Sequence, residues 1–256
     1  MNLFMYLEKD TFVHRLDPRA KLLVLFCSFA AAIMMTHPLY CLGVTALILI
    51  WGALAGSLSN LKRIRTILIT VFVMSIIMWS LFTRTGDRLF LFVRVDGVLK
   101  GLSSGIRIIT MIMSGLIFLS TTRVEEISLG LVKLGLPYQV GFAFSSAIRL
   151  VPTFIGAGAT ISQAQRSRGL DLDEGGFFER IRKYIPLMVP IFLSAIRSTD
   201  HLVRALESKG FGAREERTFY RVIQFGIAEY LVMAFSLIMV GVVIWLKVNG
   251  YGVVHV

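Results

Sequence analysis

The sequence predicts an all-α integral membrane protein, with about five transmembrane helices and a set of long cytoplasmic helices. Three observations carry that prediction. Hydrophobic residues make up 55% of the 256 positions and charged residues only 17%, against the roughly 25% charged content of soluble domains. The apolar residues gather into runs close to the ~20 residues a helix needs to cross the hydrocarbon layer. Between two such runs, residues 122–225 carry basic and acidic side chains at a density that lipid does not accommodate.

The expected spans are roughly 20–36, 39–57, 66–82, 102–121 and 226–247. The first is short, and Thr36-His37-Pro38 reads as a tight turn into the second. Arg15, Asp17, Arg19 and Lys21 precede the first run, so it reads as a retained span and not a cleaved signal peptide. Residues 83–101 join the third and fourth spans. Three regions follow: 1–121 with four spans, 122–225 with long cytoplasmic helices, and 226–256 with the final span. Within the middle region, 138–161 is apolar enough to span despite Arg149 and Pro152, and 184–196 is apolar but short. Charges at helical spacing favour amphipathic helices at the membrane face for both; the competing reading adds two spans, giving seven. Pro186 and Pro190 suit a helix start or a kink, not a mid-helix run.

Orientation follows from the basic residues. Arg15, Arg19 and Lys21 flank the first span, and Lys62, Arg63 and Arg65 separate the second from the third. The positive-inside rule places these flanks, the N-terminus and residues 122–225 in the cytoplasm. Arg84, Arg88, Arg94 and Lys100 in the opposite loop, only partly offset by Asp87 and Asp96, run against this asymmetry. The net charge of +11 belongs to such loops; no basic cluster interleaves with aromatics as a nucleic-acid surface requires.

The most informative motif is a repeat. Ala164-Gln165-Arg166-Ser167-Arg168-Gly169 is echoed by Ala205-Leu206-Glu207-Ser208-Lys209-Gly210. Both read A-x-x-x-(R/K)-G at the close of a long helical stretch. In each, the glycine suits a position just past a helix end, and the cation complements the helix dipole. A basic side chain at a helix end is also placed to reach a carboxylate on a docking partner. Two matched instances point to two docking sites, centred on Ala164, Arg166, Arg168 and Gly169, and on Ala205, Glu207, Lys209 and Gly210. At the first span, Asp17 reads as the helix N-cap with Pro18 at the first helical position, beside Arg19 and Lys21.

Several chemistries are excluded. No G-x-x-x-x-G-K-[ST] loop is present for nucleotide binding. His14, His37, His201 and His255 are scattered, and Cys27 and Cys41 form no C-x-x-C pair, so neither a metal site nor a disulfide framework is expected. No G-x-S-x-G elbow occurs. A cofactor or catalytic site is not expected. Spans nearly free of charge argue against a self-contained channel or secondary carrier.

Asp17-Pro18-Arg19-Ala20-Lys21-Leu22-Leu23, Leu131-Val132-Lys133-Leu134-Gly135-Leu136-Pro137, Arg149-Leu150-Val151-Pro152 and the two repeats occur in that order. With these motifs the chain resembles the transmembrane T components (EcfT/CbiQ type) of energy-coupling factor transporters. The resemblance implies a non-catalytic coupling subunit of an ABC importer for a vitamin or a transition-metal ion such as cobalt or nickel. Its implied partners are two ABC ATPase subunits and one substrate-binding S component, within the lipid bilayer and without nucleic acid. By the same resemblance Arg168 is the signature arginine of the first docking helix. Lys209 stands where arginine is usual, keeping the charge but losing the planar fork.

Overall fold

The computed structural model describes residues 9, 11–83, 88–90, 93–170, 176–213 and 226–250. Arg84, Asp87 and His255 lie outside them. The chain divides into two compact units, Met1–Leu136 with Ile223–Val256, and Pro137–Val222.

The first unit is helical almost throughout. A short α1 (Phe12–Arg15) leads into α2 (Pro18–Met34). Asp17 caps α2 by accepting a hydrogen bond from the Arg19 amide at 2.9 Å, and Pro18 takes the first helical position, where its missing N–H costs nothing. His37 and Pro38 start α3 (Pro38–Leu54) in the same way, with the His37 ring accepting from the Leu39 amide at 3.3 Å. α4 (Leu58–Arg63) and α5 (Arg65–Phe82) meet at Ile64. A two-stranded antiparallel ribbon follows, β1 (Arg88–Phe90) and β2 (Val93–Arg94), with Phe90 opposite Val93. This ribbon lies in the loop predicted between the third and fourth spans. It leaves the all-α class unchanged.

α6 (Val95–Thr121) is the axis of the unit and packs on α2, α3, α4 and α5. It begins well before residue 102. Asp96 in its first turn complements the helix dipole, and three glycines spaced by four line its early face. A Cβ at Gly97 would meet the Trp79 carbonyl oxygen at 2.9 Å; one at Gly101 would meet Ile76 Cα at 2.8 Å; one at Gly105 would meet Phe72 Cδ2 at 2.8 Å. α5 and α6 therefore pack backbone to backbone, as small-xxx-small spacing allows. α7 (Val124–Lys133) lays Gly130 against Pro18, where a Cβ would stand 3.3 Å from the proline ring. Through that contact α7 packs within the first unit, and the second compact unit starts at Pro137. α10 (Ile227–Val248), capped by Glu229 accepting from the Gly226 amide at 2.8 Å, returns to pack on α2.

Among the described residues, four helices are long and apolar enough to cross a membrane: α5, α6, α10 and α8 (Tyr138–Ser167). The first two expected spans, α2 and α3, have 17 residues each and are about 25 Å long. That is shorter than the ~30 Å hydrocarbon core. α8 meets the spanning criterion that the competing reading of 138–161 anticipated.

The second unit holds α8 and α9 (Phe177–Ser208). α9 runs on through Pro186 and Pro190, so neither proline opens the helix, and both lie inside a run where a helix start or a kink was expected. Pro190 has no N–H for the Pro186 carbonyl four residues back, and the Gln165 side-chain amide of α8 donates to that carbonyl at 3.4 Å.

Candidate docking site on α8 and α9

Both signature helices end in the same turn. In α8 the Gly169 amide donates to the Arg166 carbonyl at 3.0 Å and the Leu170 amide to the Gln165 carbonyl at 3.0 Å. In α9 the Gly210 amide donates to the Glu207 carbonyl at 2.9 Å and the Phe211 amide to the Leu206 carbonyl at 2.9 Å. These are Schellman pairs, and each needs a left-handed residue just past the cap. Gly169 (φ +88°) and Gly210 (φ +72°) fill that position. Any other L-residue there costs about 1–2 kcal/mol. The residue before the glycine is Arg168 in one helix and Lys209 in the other, with nearly the same backbone angles (φ −86°, ψ 7° and φ −92°, ψ 8°). Both cations thus leave the same position of the same turn.

The turn itself is not distinctive, since Gly56 and Gly135 close α3 and α7 with the same pair of bonds. What sets the two signature ends apart is an exposed cation at the cap, where α3 has Ala55 and α7 has Leu134. All eight signature residues, Ala164, Arg166, Arg168, Gly169, Ala205, Glu207, Lys209 and Gly210, are exposed.

The two ends lie far apart. α8 and α9 pack antiparallel: Gly158 faces Ile191, Gln165 faces Pro186, and Phe211 packs on Phe142 with tilted rings whose centroids are 4.5 Å apart. Phe211 directly follows the second signature, so that end sits beside the start of α8. The first signature sits at the opposite end of the same 30-residue helix, about 40 Å away at 1.5 Å per residue. The pair also leaves much of its apolar surface uncovered: Val140, Phe144, Ile155, Met188, Phe192 and Ile196 are all exposed. Among the described residues of this unit only Gly141 and Leu187 are buried.

The N-terminal signature is built differently. Asp17, Pro18 and Lys21 are buried in the first unit. The Lys21 ammonium donates to the Thr121 carbonyl at the end of α6 at 2.8 Å and to the His14 carbonyl of α1 at 3.0 Å. It supplies donors to carbonyls that a helix end leaves unpaired. Arg19, half-buried, lines the same node. These residues hold α1, α2, α6 and α7 together and offer no exposed docking face.

The sequence matches the CbiQ family, described as cobalt transport protein, over residues 9–220. It is 31% identical to the energy-coupling factor transporter transmembrane protein EcfT of Staphylococcus aureus, over 96% of each chain. It is 30% identical to the EcfT protein of Lactococcus lactis, over 95% of this chain and 97% of that one. The chain belongs to the CbiQ family of energy-coupling factor T components. This T component is therefore a transmembrane subunit of a transporter, located in the membrane.

Two features of this T component escaped the sequence reading. The Gly97, Gly101 and Gly105 ridge was legible as a repeated G-x-x-x-G. The Gln165 bond to the Pro186 carbonyl had only an indirect signal, the carbonyl that Pro190 must leave unpaired.

Proposed function

We propose that this T component couples two ATP-hydrolysing subunits to a separate substrate-binding membrane subunit, in the uptake of a vitamin or a transition-metal ion. The observation that carries the reading is the matched pair of exposed cations, on identical helix-end turns about 40 Å apart along α8. Each end fits one partner groove lined by carboxylate. ATP hydrolysis belongs to the partners. Arg168 presents a planar fork suited to bidentate pairing, whereas Lys209 presents a point charge. The uncovered apolar faces of α8 and α9 are the surface for the substrate-binding subunit, itself an apolar membrane partner. Closure of the ATPase pair moves both docked ends, and the crossed helices carry that motion to the substrate-binding subunit. The basic flanks around Arg15, Arg19, Lys62 and Arg63 support a cytoplasmic placement for the docking ends.

The test is to purify the tagged full chain from its membrane in mild detergent and identify the co-eluting subunits. Two nucleotide-binding proteins and one small membrane protein are expected, with the ATPases lost from the Arg168→Glu, Lys209→Glu double variant. Transport by the chain alone after reconstitution would overturn the proposal in favour of a self-contained carrier.

A further inference from the structure

An open cavity of about 580 Å³ lies within the first unit, walled by α2, α3, α6 and α10. Its walls are apolar, with Val24, Ile48, Trp51, Leu54, Leu231 and Phe235 among them. Three serines reach it, but their hydroxyls are already engaged. Ser114 donates to Ser28, Ser28 to the Val24 carbonyl, and Ser236 to the Met233 carbonyl. With the serine donors spent and the walls otherwise almost wholly apolar, the groove offers mainly hydrocarbon contact surface, which suits an acyl chain better than a polar solute.

Its position sets the length of that chain. Along α10 the lining runs from Ala228 to Met239, about 16 Å at 1.5 Å per residue. That is about half the ~30 Å hydrocarbon thickness, or one leaflet. The groove opens at Phe12, Leu54 and Ala228, near the start of α10, and ends about half-way along that helix. A cation stands at that entrance. The exposed Lys9 ammonium donates to the Gly56 carbonyl at 2.8 Å, two residues beyond Leu54. One such bond leaves two of its three donors for another acceptor.

We infer that this groove is a binding site for one anionic phospholipid, its acyl chain lying along α10 and its phosphate meeting Lys9. The site rests on the membrane location of the chain and is independent of the docking role proposed for α8 and α9.

The full chain carries three tryptophans, of which Trp51 lines the groove and Trp79 is an exposed residue of α5 outside it. Two versions, one keeping Trp51 alone and one keeping Trp79 alone with phenylalanine at the other two positions, are reconstituted with their co-purifying subunits into phosphatidylcholine vesicles. Phosphatidylglycerol or phosphatidylcholine with brominated acyl chains is then added as a contact quencher. Trp51 is expected to be quenched at about five-fold lower mole fraction of the anionic lipid than of the neutral one, the preference one lysine near anionic lipid provides. Trp79 should show no preference. Lys9→Gln should abolish the preference at Trp51 while leaving quenching by the neutral lipid in place. Equal quenching of Trp51 by the two lipids would mean ordinary annular lipid only and would overturn the site. So would a Trp51 that neither lipid quenches while Trp79 responds, which would mean that a protein segment fills the groove. A preference that survives Lys9→Gln would overturn the headgroup assignment.

Discussion

The two compact units hold themselves together by opposite means. In the first, charged and polar side chains are spent inward, on helix ends and helix crossings. Lys21 closes the end of α6, Arg107 donates to the Met35 carbonyl at 2.8 Å where α2 stops, and Asn60 donates to Ser120 at 2.8 Å. In the second, the charges point outward, and α8 and α9 touch at a few places only. A basic residue near a helix end thus means different things in the two units. Lys21 is a structural donor because it is buried with two carbonyls. Arg168 and Lys209 are exposed on turns that close without them. Sequence alone does not separate these cases, since all three sit beside apolar helices.

The largest effect expected from breaking this contrast lies in the first unit. Gly101→Val puts a branched side chain where even a Cβ would stand 2.8 Å from Ile76 Cα. Backbone cannot yield as a side-chain tip can, so α5 and α6 must separate. A loss of about 3 kcal/mol or more is expected, at the upper end of overpacking costs. Thermal denaturation followed by fluorescence-detected size exclusion should show little folded protein surviving extraction. Gly158→Val in the second unit is the matched control. A Cβ there meets only Ile191 Cδ1 at 3.7 Å, and its melting should stay near that of the unaltered chain.

Next in size is Lys21→Met, which keeps the length and removes the ammonium. The Thr121 and His14 carbonyls then lose their donor inside the protein. A cost of about 2–3 kcal/mol is expected from stranding buried acceptors. The same melting assay reads it. Recovery of ATPase subunits per folded chain should not change. A lowered recovery without lowered stability would mean that the N-terminal signature contacts a partner after all.

Arg168→Glu tests the other side of the contrast. Its side chain is exposed and the turn is held by backbone bonds, so stability should move by less than about 0.5 kcal/mol, as for surface substitutions generally. Recovery of the ATPase subunits should fall by about ten-fold or more, since a hydrogen-bonded charge pair contributes roughly 1.5–3 kcal/mol. Lys209→Arg should move the opposite way, raising recovery at the second end by restoring the fork. A chain that keeps its full ATPase complement with glutamate at position 168 would remove the docking assignment from that end.

Much of this organisation was legible beforehand, for identifiable reasons. Asp17-Pro18 marks a helix start and Thr36-His37-Pro38 a turn between helices because local chemistry fixes them. The repeat at 164–169 and 205–210 was visible because a helix end with a left-handed glycine has a strong local signature. What stayed hidden depended on partners distant in sequence. The burial of Lys21 needs Thr121, a hundred residues away. The start of α7 and its place in the first unit depend on Gly130 meeting Pro18. The run of α9 through two prolines brings the Pro186 carbonyl to Gln165 of α8, a contact that no local rule announces.

That last contact gives the smallest and most discriminating effect. Gln165 lies inside the first signature, yet its amide reaches α9 and not outward. The bond is long at 3.4 Å and partly wet, so Gln165→Leu should cost only about 0.5–1 kcal/mol. Its consequence should be mechanical. Without the donor, the Pro186 carbonyl seeks water, and α9 is free to bend at Pro190. Spin labels placed at Ser162 and Ser194 in the full complex should then show a broader distance distribution by electron paramagnetic resonance. ATPase subunits should still co-purify, because both cations remain in place. ATP hydrolysis should continue while substrate uptake falls, if bending dissipates the motion between the docked ends. Uptake and hydrolysis falling together would instead assign Gln165 to the docking contact itself, and an unchanged distance distribution would show that α9 needs no help from α8 to stay straight.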